Sequence, residues 1–167
     1  MLNRKTFIAL SLSGLIAACG GGGEAPTVPT AEPAGETMKD IGDHIVHFSA
    51  QSTDELGPEI ARAYNIVRSK NRAMLTISVV QESDNTSVPA DVTVKTVNLT
   101  GQLKNVAMRQ IEDQDAVYYI GETPVANRET LIFDITVTPE GATRPSEVRF
   151  KRCLLYTSDA ADDPTLV

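Results

Sequence analysis

Short runs in which apolar and polar residues strictly alternate constrain this chain more than any other feature. Leu131, Phe133, Ile135 and Val137 alternate with Thr130, Asp134, Thr136 and Thr138. Pro139-Glu140-Gly141 then turns the chain, and Val148 and Phe150 alternate with Glu147, Arg149 and Lys151. Successive side chains of a strand point to opposite faces, so a period of two marks a strand with one buried face, and the turn between two such runs marks a hairpin. Ala73, Leu75, Ile77 and Val79 form a second such row, with Met74, Thr76 and Ser78 on the other side.

The remaining runs are shorter. His44-Ile45-Val46-His47-Phe48 is a strand candidate, and Val106 to Ile111 and Ala116 to Ile120 form a strand pair around Glu112-Asp113-Gln114-Asp115. Val117-Tyr118-Tyr119-Ile120 is apolar on both faces, which suits a central strand. Val88 to Leu99 changes phase between Val92 and Val94 on one side and Val97 and Leu99 on the other, which predicts a bulge near Lys95–Thr96. Gly57-Pro58-Glu59 opens a helical turn in which Ile60, Ala63 and Tyr64 share a face; it is too short to stand alone and must pack on something. About seven or eight short antiparallel strands and one helical turn predict an all-β chain, an immunoglobulin-like β-sandwich over residues 37–152. A small closed barrel is the alternative.

The chain opens with Arg4 and Lys5, an apolar run from Phe7 to Ile16, and the small residues Ala17 and Ala18 before Cys19. That is the layout of a secretory signal, with an apolar core shorter than a membrane span. Ile16-Ala17-Ala18-Cys19 also resembles the lipobox of bacterial lipoproteins. The resemblance implies a signal peptide over residues 1–18, thioether lipidation of Cys19 and acylation of its new amino terminus. It further implies anchoring to a membrane, and Gly20 in place of Asp favours the outer membrane, facing the periplasm. An ordinary secretory signal ending by chance in Cys is the competing reading. Residues 19–36, rich in Gly, Pro, Thr and Ala, read as a flexible tether.

The 167 residues suggest one domain, and a net charge of -7 without a basic tract argues against nucleic acid as a partner. Cys153 to Asp162 read Cys-Leu-Leu-Tyr-Thr-Ser-Asp-Ala-Ala-Asp, similar to a translated sequencing-library adapter, so residues 153–167 are expected to be a non-native tail. A disordered acidic tail is the alternative. Lipidation of Cys19 would exclude a disulfide to Cys153.

Four phrases carry a further resemblance: Glu36-Thr37-Met38-Lys39-Asp40, Pro58-Glu59-Ile60-Ala61-Arg62-Ala63-Tyr64, Arg68-Ser69-Lys70-Asn71-Arg72 and Asn98-Leu99-Thr100-Gly101-Gln102. Together they resemble the uncharacterised bacterial exported family called domain of unknown function 4426. The resemblance spans roughly residues 36 to 152. It implies a periplasmic or lipid-anchored single domain and no particular activity.

Candidate chemistry is sparse. His44 and His47 are the two histidines, and three residues apart on a strand they project to opposite faces. With Met38, Met74 or Met108 either could hold copper(I), since thioether and imidazole suit that ion; ordinary strand positions are the plainer reading. Arg62, Arg68, Lys70 and Arg72 form a local basic patch that could receive a carboxylate, a phosphate or an acidic partner surface, against the simpler reading of a solvated loop. No serine lies in a nucleophile motif, and the acidic loop lacks the Gly and terminal Glu of an EF-hand. The expectation is a non-enzymatic, lipid-anchored module without a cofactor that binds a periplasmic protein partner or serves as an envelope accessory. A small copper-handling domain is the alternative.

Overall fold

The expected hairpin forms, and it ends one of two facing sheets. The computed structural model describes residues 35–154, so the expected signal peptide, Cys19, nearly all of the expected tether and the tail beyond Leu154 lie outside the described residues. The strands are β1 (Met38–Asp40), β2 (His44–Ser52), β3 (Arg72–Gln81), β4 (Ala90–Asn98), β5 (Leu103–Lys104), β6 (Ala107–Asp113), β7 (Ala116–Pro124), β8 (Glu129–Pro139) and β9 (Ser146–Leu154). One sheet has the order β1-β2-β3-β7-β6 and the other β5-β4-β8-β9, with every pairing antiparallel. Setting β2-β3-β7-β6 against β4-β8-β9, with β5 as an extra edge, is the immunoglobulin arrangement. The count of nine among the described residues exceeds the expected seven or eight because β1 and β5 are stubs of three and two residues.

The core follows the alternation. Leu131, Phe133, Ile135 and Val137 of β8 and Ala73, Leu75, Ile77 and Val79 of β3 are all buried, facing each other across the sandwich with Val46, Phe48 and Val148. Full burial of such a side chain contributes roughly 1.5–3 kcal/mol. The Phe150 ring lies 4.6 Å from Phe48 and 4.8 Å from Phe133, centroid to centroid, and so links both sheets. Tyr119 of β7 points inward and its hydroxyl accepts from the Ala90 amide at 2.6 Å. Gly121, two residues on, leaves the space that Met108 Sδ and Val106 occupy; a Cβ there would collide with both.

Three local expectations differ from the structure. β4 contains no bulge: its pairing with β8 runs unbroken from Ala90↔Pro139 to Asn98↔Leu131. The inward row is Ala90, Val92, Val94 and Thr96, and the apparent phase change arises because a threonine fills a core position while Val97 and Leu99 face outward or into the following turn. On the short helix α1 (Pro58–Ala63) the buried residue is Ala61, whereas Ala63 is exposed. The expected boundary at Arg152 falls within β9, which continues to Leu154; that side chain keeps the inward phase of Val148 and Phe150 and joins the core.

The edges differ in how they are covered. Beyond β1, the open edge of β2 receives Arg152 Nε on the Ala50 carbonyl at 3.0 Å, and Lys39 Nζ of β1 reaches the Glu147 carbonyl of β9 at 2.8 Å. Side chains thus cross from one sheet to the other along that side. β6, seven residues long, ends its sheet with no strand beyond it among the described residues.

Thr96 Oγ1 is buried with no hydrogen-bond partner among the described residues. A Thr96→Val substitution keeps the shape and removes an unsatisfied hydroxyl, so it should raise stability by about 1 kcal/mol, read as a higher denaturant midpoint with unchanged slope.

Candidate functional site

The segment between β2 and β3 leaves the sandwich and folds back over the outer face of the first sheet. A single 3-10 turn (Thr53–Glu55) and α1 form its first half. Thr53 fastens both ends of the excursion. Its buried hydroxyl accepts from the Ser69 amide at 2.9 Å and lies 2.9 Å from the Val67 carbonyl and 3.1 Å from that of Ser69. Arg68 Nη2 adds a bond to the Asp54 carbonyl at 2.6 Å. Leu56, Ala61 and Ile66 then bury themselves on Met74 of β3 and Ile120 of β7, forming a second small core outside the sandwich. This is why Val117–Ile120 is apolar on both faces: Tyr119 faces the main core and Ile120 the excursion.

The excursion does not fill the face that it covers. An apolar groove of about 200 Å³ remains, lined by Ile60, Tyr64, Ile66, Met74, Ile111 and Ile120. Ile60 stands at it 51% exposed. The Tyr64 hydroxyl donates to Asp113 Oδ2 at 3.0 Å; that bond and the carboxylate's charge raise the phenol above its ordinary value. Arg109 Nη2 donates to the Tyr64 carbonyl. Both contacts tie the excursion to β6.

The basic patch is distributed. Arg62 is exposed on α1, Arg68 is committed to Asp54, Arg72 pairs with Glu122 at 3.4 Å, and Lys70 is half-buried. His44 sits half-buried on the inward side of β2, whereas His47 is exposed on the outward side directly opposite Met38 of β1. Met74 lies beneath the excursion and Met108 packs against the main core, so neither joins that pair. Among the described residues no three His, Cys, Asp or Glu side chains come together as a metal group.

A larger concavity, about 930 Å³, lies between the β3–β4 loop and the β6–β7 turn and is lined by polar groups including Asp84, Asn85, Ser87, Asp113 and Asp115. The Asp84 carboxyl lies below its ordinary value because it accepts from Thr86, whose amide is 3.0 Å away. This is the hydrogen bonding of a turn.

One nearly buried ion pair lies elsewhere, at the β4–β5 end. Lys104 Nζ meets Glu129 Oε1 at 3.0 Å, with the side chains 14% and 11% exposed. Burial pushes the Glu129 carboxyl up, but the Ala126 amide, the Asn98 side chain and the Lys104 ammonium outweigh it and hold the group below its ordinary value. All three partners belong to chain segments that Glu129 joins, which makes this a structural clasp.

The groove residues Ile66, Ile111 and Ile120 have no place in the site expected from the sequence, and Met74 enters there only as a possible copper(I) ligand. The signal that could have found them is the second apolar face of Val117–Ile120 beside a helix too short to stand alone.

Two antiparallel sheets and a helical excursion that leaves an apolar groove define an all-β sandwich. The chain belongs to the family described as Domain of unknown function (DUF4426), which it matches over residues 38–157. It is similar to the crystal structure of a DUF4426 family protein from Pseudomonas aeruginosa, with a TM-score of 0.63 and 26% identity, covering 74% of this chain and 97% of that one. No curated protein matches it.

Two substitutions test these contacts. Thr53→Val should cost about 1–3 kcal/mol, because it leaves the Ser69 amide and the Val67 carbonyl unpaired, and should raise amide exchange first across residues 53–71. For Glu129, a carboxyl held low in the folded state stabilises above its unfolded pKa, and that stability is lost as pH falls through the lower folded value. The stability gap between the native chain and Glu129→Gln should therefore be full at pH 7 and shrink steadily below about pH 4.3, as read from denaturant midpoints.

Proposed function

We propose that this chain is a non-enzymatic, lipid-anchored module of the bacterial envelope, held through Cys19 at the periplasmic face of the outer membrane, and that the groove beside α1 receives a protein partner. The observation that carries the binding role is the unfilled apolar groove with Ile60 half out of it, on a platform fastened by Thr53 and Tyr64. A rigid, preformed apolar pocket suits an anchor side chain of a partner, because little ordering is lost on binding. Arg62 on the same helix favours carboxylates beside that anchor. The anchoring rests on the resemblance of Ile16-Ala17-Ala18-Cys19 to a lipobox.

A copper-handling role is the second reading, and one observation favours it: the strand register sets the Met38 thioether beside the His47 imidazole. Copper(I) titration against a competing chelator distinguishes the two, since a metal role requires tighter binding than that of a Met38→Leu, His47→Ala chain.

Cys19→Ser should move the chain out of the outer-membrane fraction, uncleaved or soluble; unchanged fractionation overturns the anchor. Ile60→Glu should reduce the capture of partners by cross-linking in intact cells at least about tenfold, the loss of a buried anchor worth 1.4 kcal/mol or more. Equal capture by both chains overturns the groove.

A further inference from the structure

The free edge of β6 fits a second copy of this chain. β6 pairs with β7 in constant register from Ala107↔Glu122 to Asp113↔Ala116, without a bulge, and it contains no proline and no lysine. Those are among the devices that blunt an exposed edge; β6 keeps only its charges, Arg109, Glu112 and Asp113, whereas β1 and β5 are stubs and side chains cross between β2 and β9. Gln114 and Asp115 form a two-residue turn, so Asp113 and Ala116 flank it as a hydrogen-bonded pair. By alternation Asp113, Ile111 and Arg109 direct their backbone groups to β7, whereas Met108, Gln110 and Glu112 direct theirs to the open side.

We propose that β6 pairs antiparallel with β6 of a second copy about a two-fold axis at Ile111. Directly opposite residues share a face, so the axis falls on a residue rather than between two. Centred on Ile111, Arg109 faces the second copy's Asp113, Gln110 faces its Glu112, and Ile111 meets its own counterpart. Every opposed pair is then complementary. Centred on Gln110, Arg109 faces Ile111 and Met108 faces Glu112; centred on Glu112, two carboxylates oppose each other. Of the three, the first register alone sets no like charges together and no charge against an apolar side chain, while Arg109 and Asp113 can keep their bonds to Tyr64. Ile111 also lines the groove, so the paired strand continues the apolar surface at that wall. A two-fold perpendicular to the sheet sets both grooves on the same side of the dimer, offering two contacts to one extended partner.

The test uses the full chain in detergent. In a Cys153→Ser background, Ile111→Cys should give a disulfide-linked dimer under mild oxidation, at least about tenfold above Gln110→Cys, because the opposed positions of a non-hydrogen-bonded pair have the Cβ spacing a disulfide needs. The same background without the new cysteine controls for Cys19. Gln110→Pro removes an outward amide and spares the β7 ladder, so by sedimentation it should stay monomeric at concentrations where the native chain is dimeric. Equal yields from the two cysteine variants overturn the proposal, as does a native chain that stays monomeric up to about 1 mM.

Discussion

The packing of Phe150 between Phe48 and Phe133 is the contact on which the rest of this molecule depends. No disulfide crosses this immunoglobulin-type sandwich among the described residues, where Cys153 is a free, exposed thiol. Cohesion between the sheets falls to side-chain interlock, and aromatic pairs at such separations add roughly 0.5–1.5 kcal/mol each beyond their buried area. Phe150 belongs to β9, which has one strand neighbour, so the contact also fixes the position of an edge strand. Once β8 and β9 are set against β2 and β3, the alternation of each strand determines which residues are left outside. Met74 and Ile120 are the apolar ones that need a cover.

That requirement explains the excursion. A six-residue helix has no stability of its own. It persists because Leu56, Ala61 and Ile66 find an apolar floor and because one buried hydroxyl, that of Thr53, holds the point where the chain departs to the stretch where it returns. The groove is what remains when a short segment covers a broad face. Its shape is therefore set partly at a distance, by the Thr53 fastening, and partly at its wall, where Tyr64 both lines the groove and ties the excursion to β6.

Much of this was legible in the sequence. The β8–β9 hairpin and the inward row of β3 follow from clean alternation, and the central place of β7 follows from its two apolar faces. β4 is harder to read because hydrophobicity there is a poor proxy for direction: Thr96 points inward although polar, and Val97 outward although apolar. Strand phase is a backbone property that side-chain chemistry only reports. Ala61 was missed on α1 for a related reason, since a small residue buries easily without signalling it. The basic patch was visible as composition, but long side chains choose partners in three dimensions, and Arg68 and Arg72 turned to Asp54 and Glu122. The groove was hidden because its walls come from four separate segments.

The two bonds from Lys39 to Glu147 and from Arg152 to Ala50 have a consequence for motion. Along most of the sandwich, separating neighbouring strands means breaking a ladder of backbone hydrogen bonds. Between the last strand and the side formed by β1 and β2 there is no ladder, and the long side chains of Lys39 and Arg152 reach backbone carbonyls across the gap. Phe48 and Phe150 pack beside those bonds, so side-chain contacts, and no backbone pairing, hold this flank. The two ends of the described chain thus meet at a gate rather than a weld, and whatever pulls on the first strand pulls on it from there.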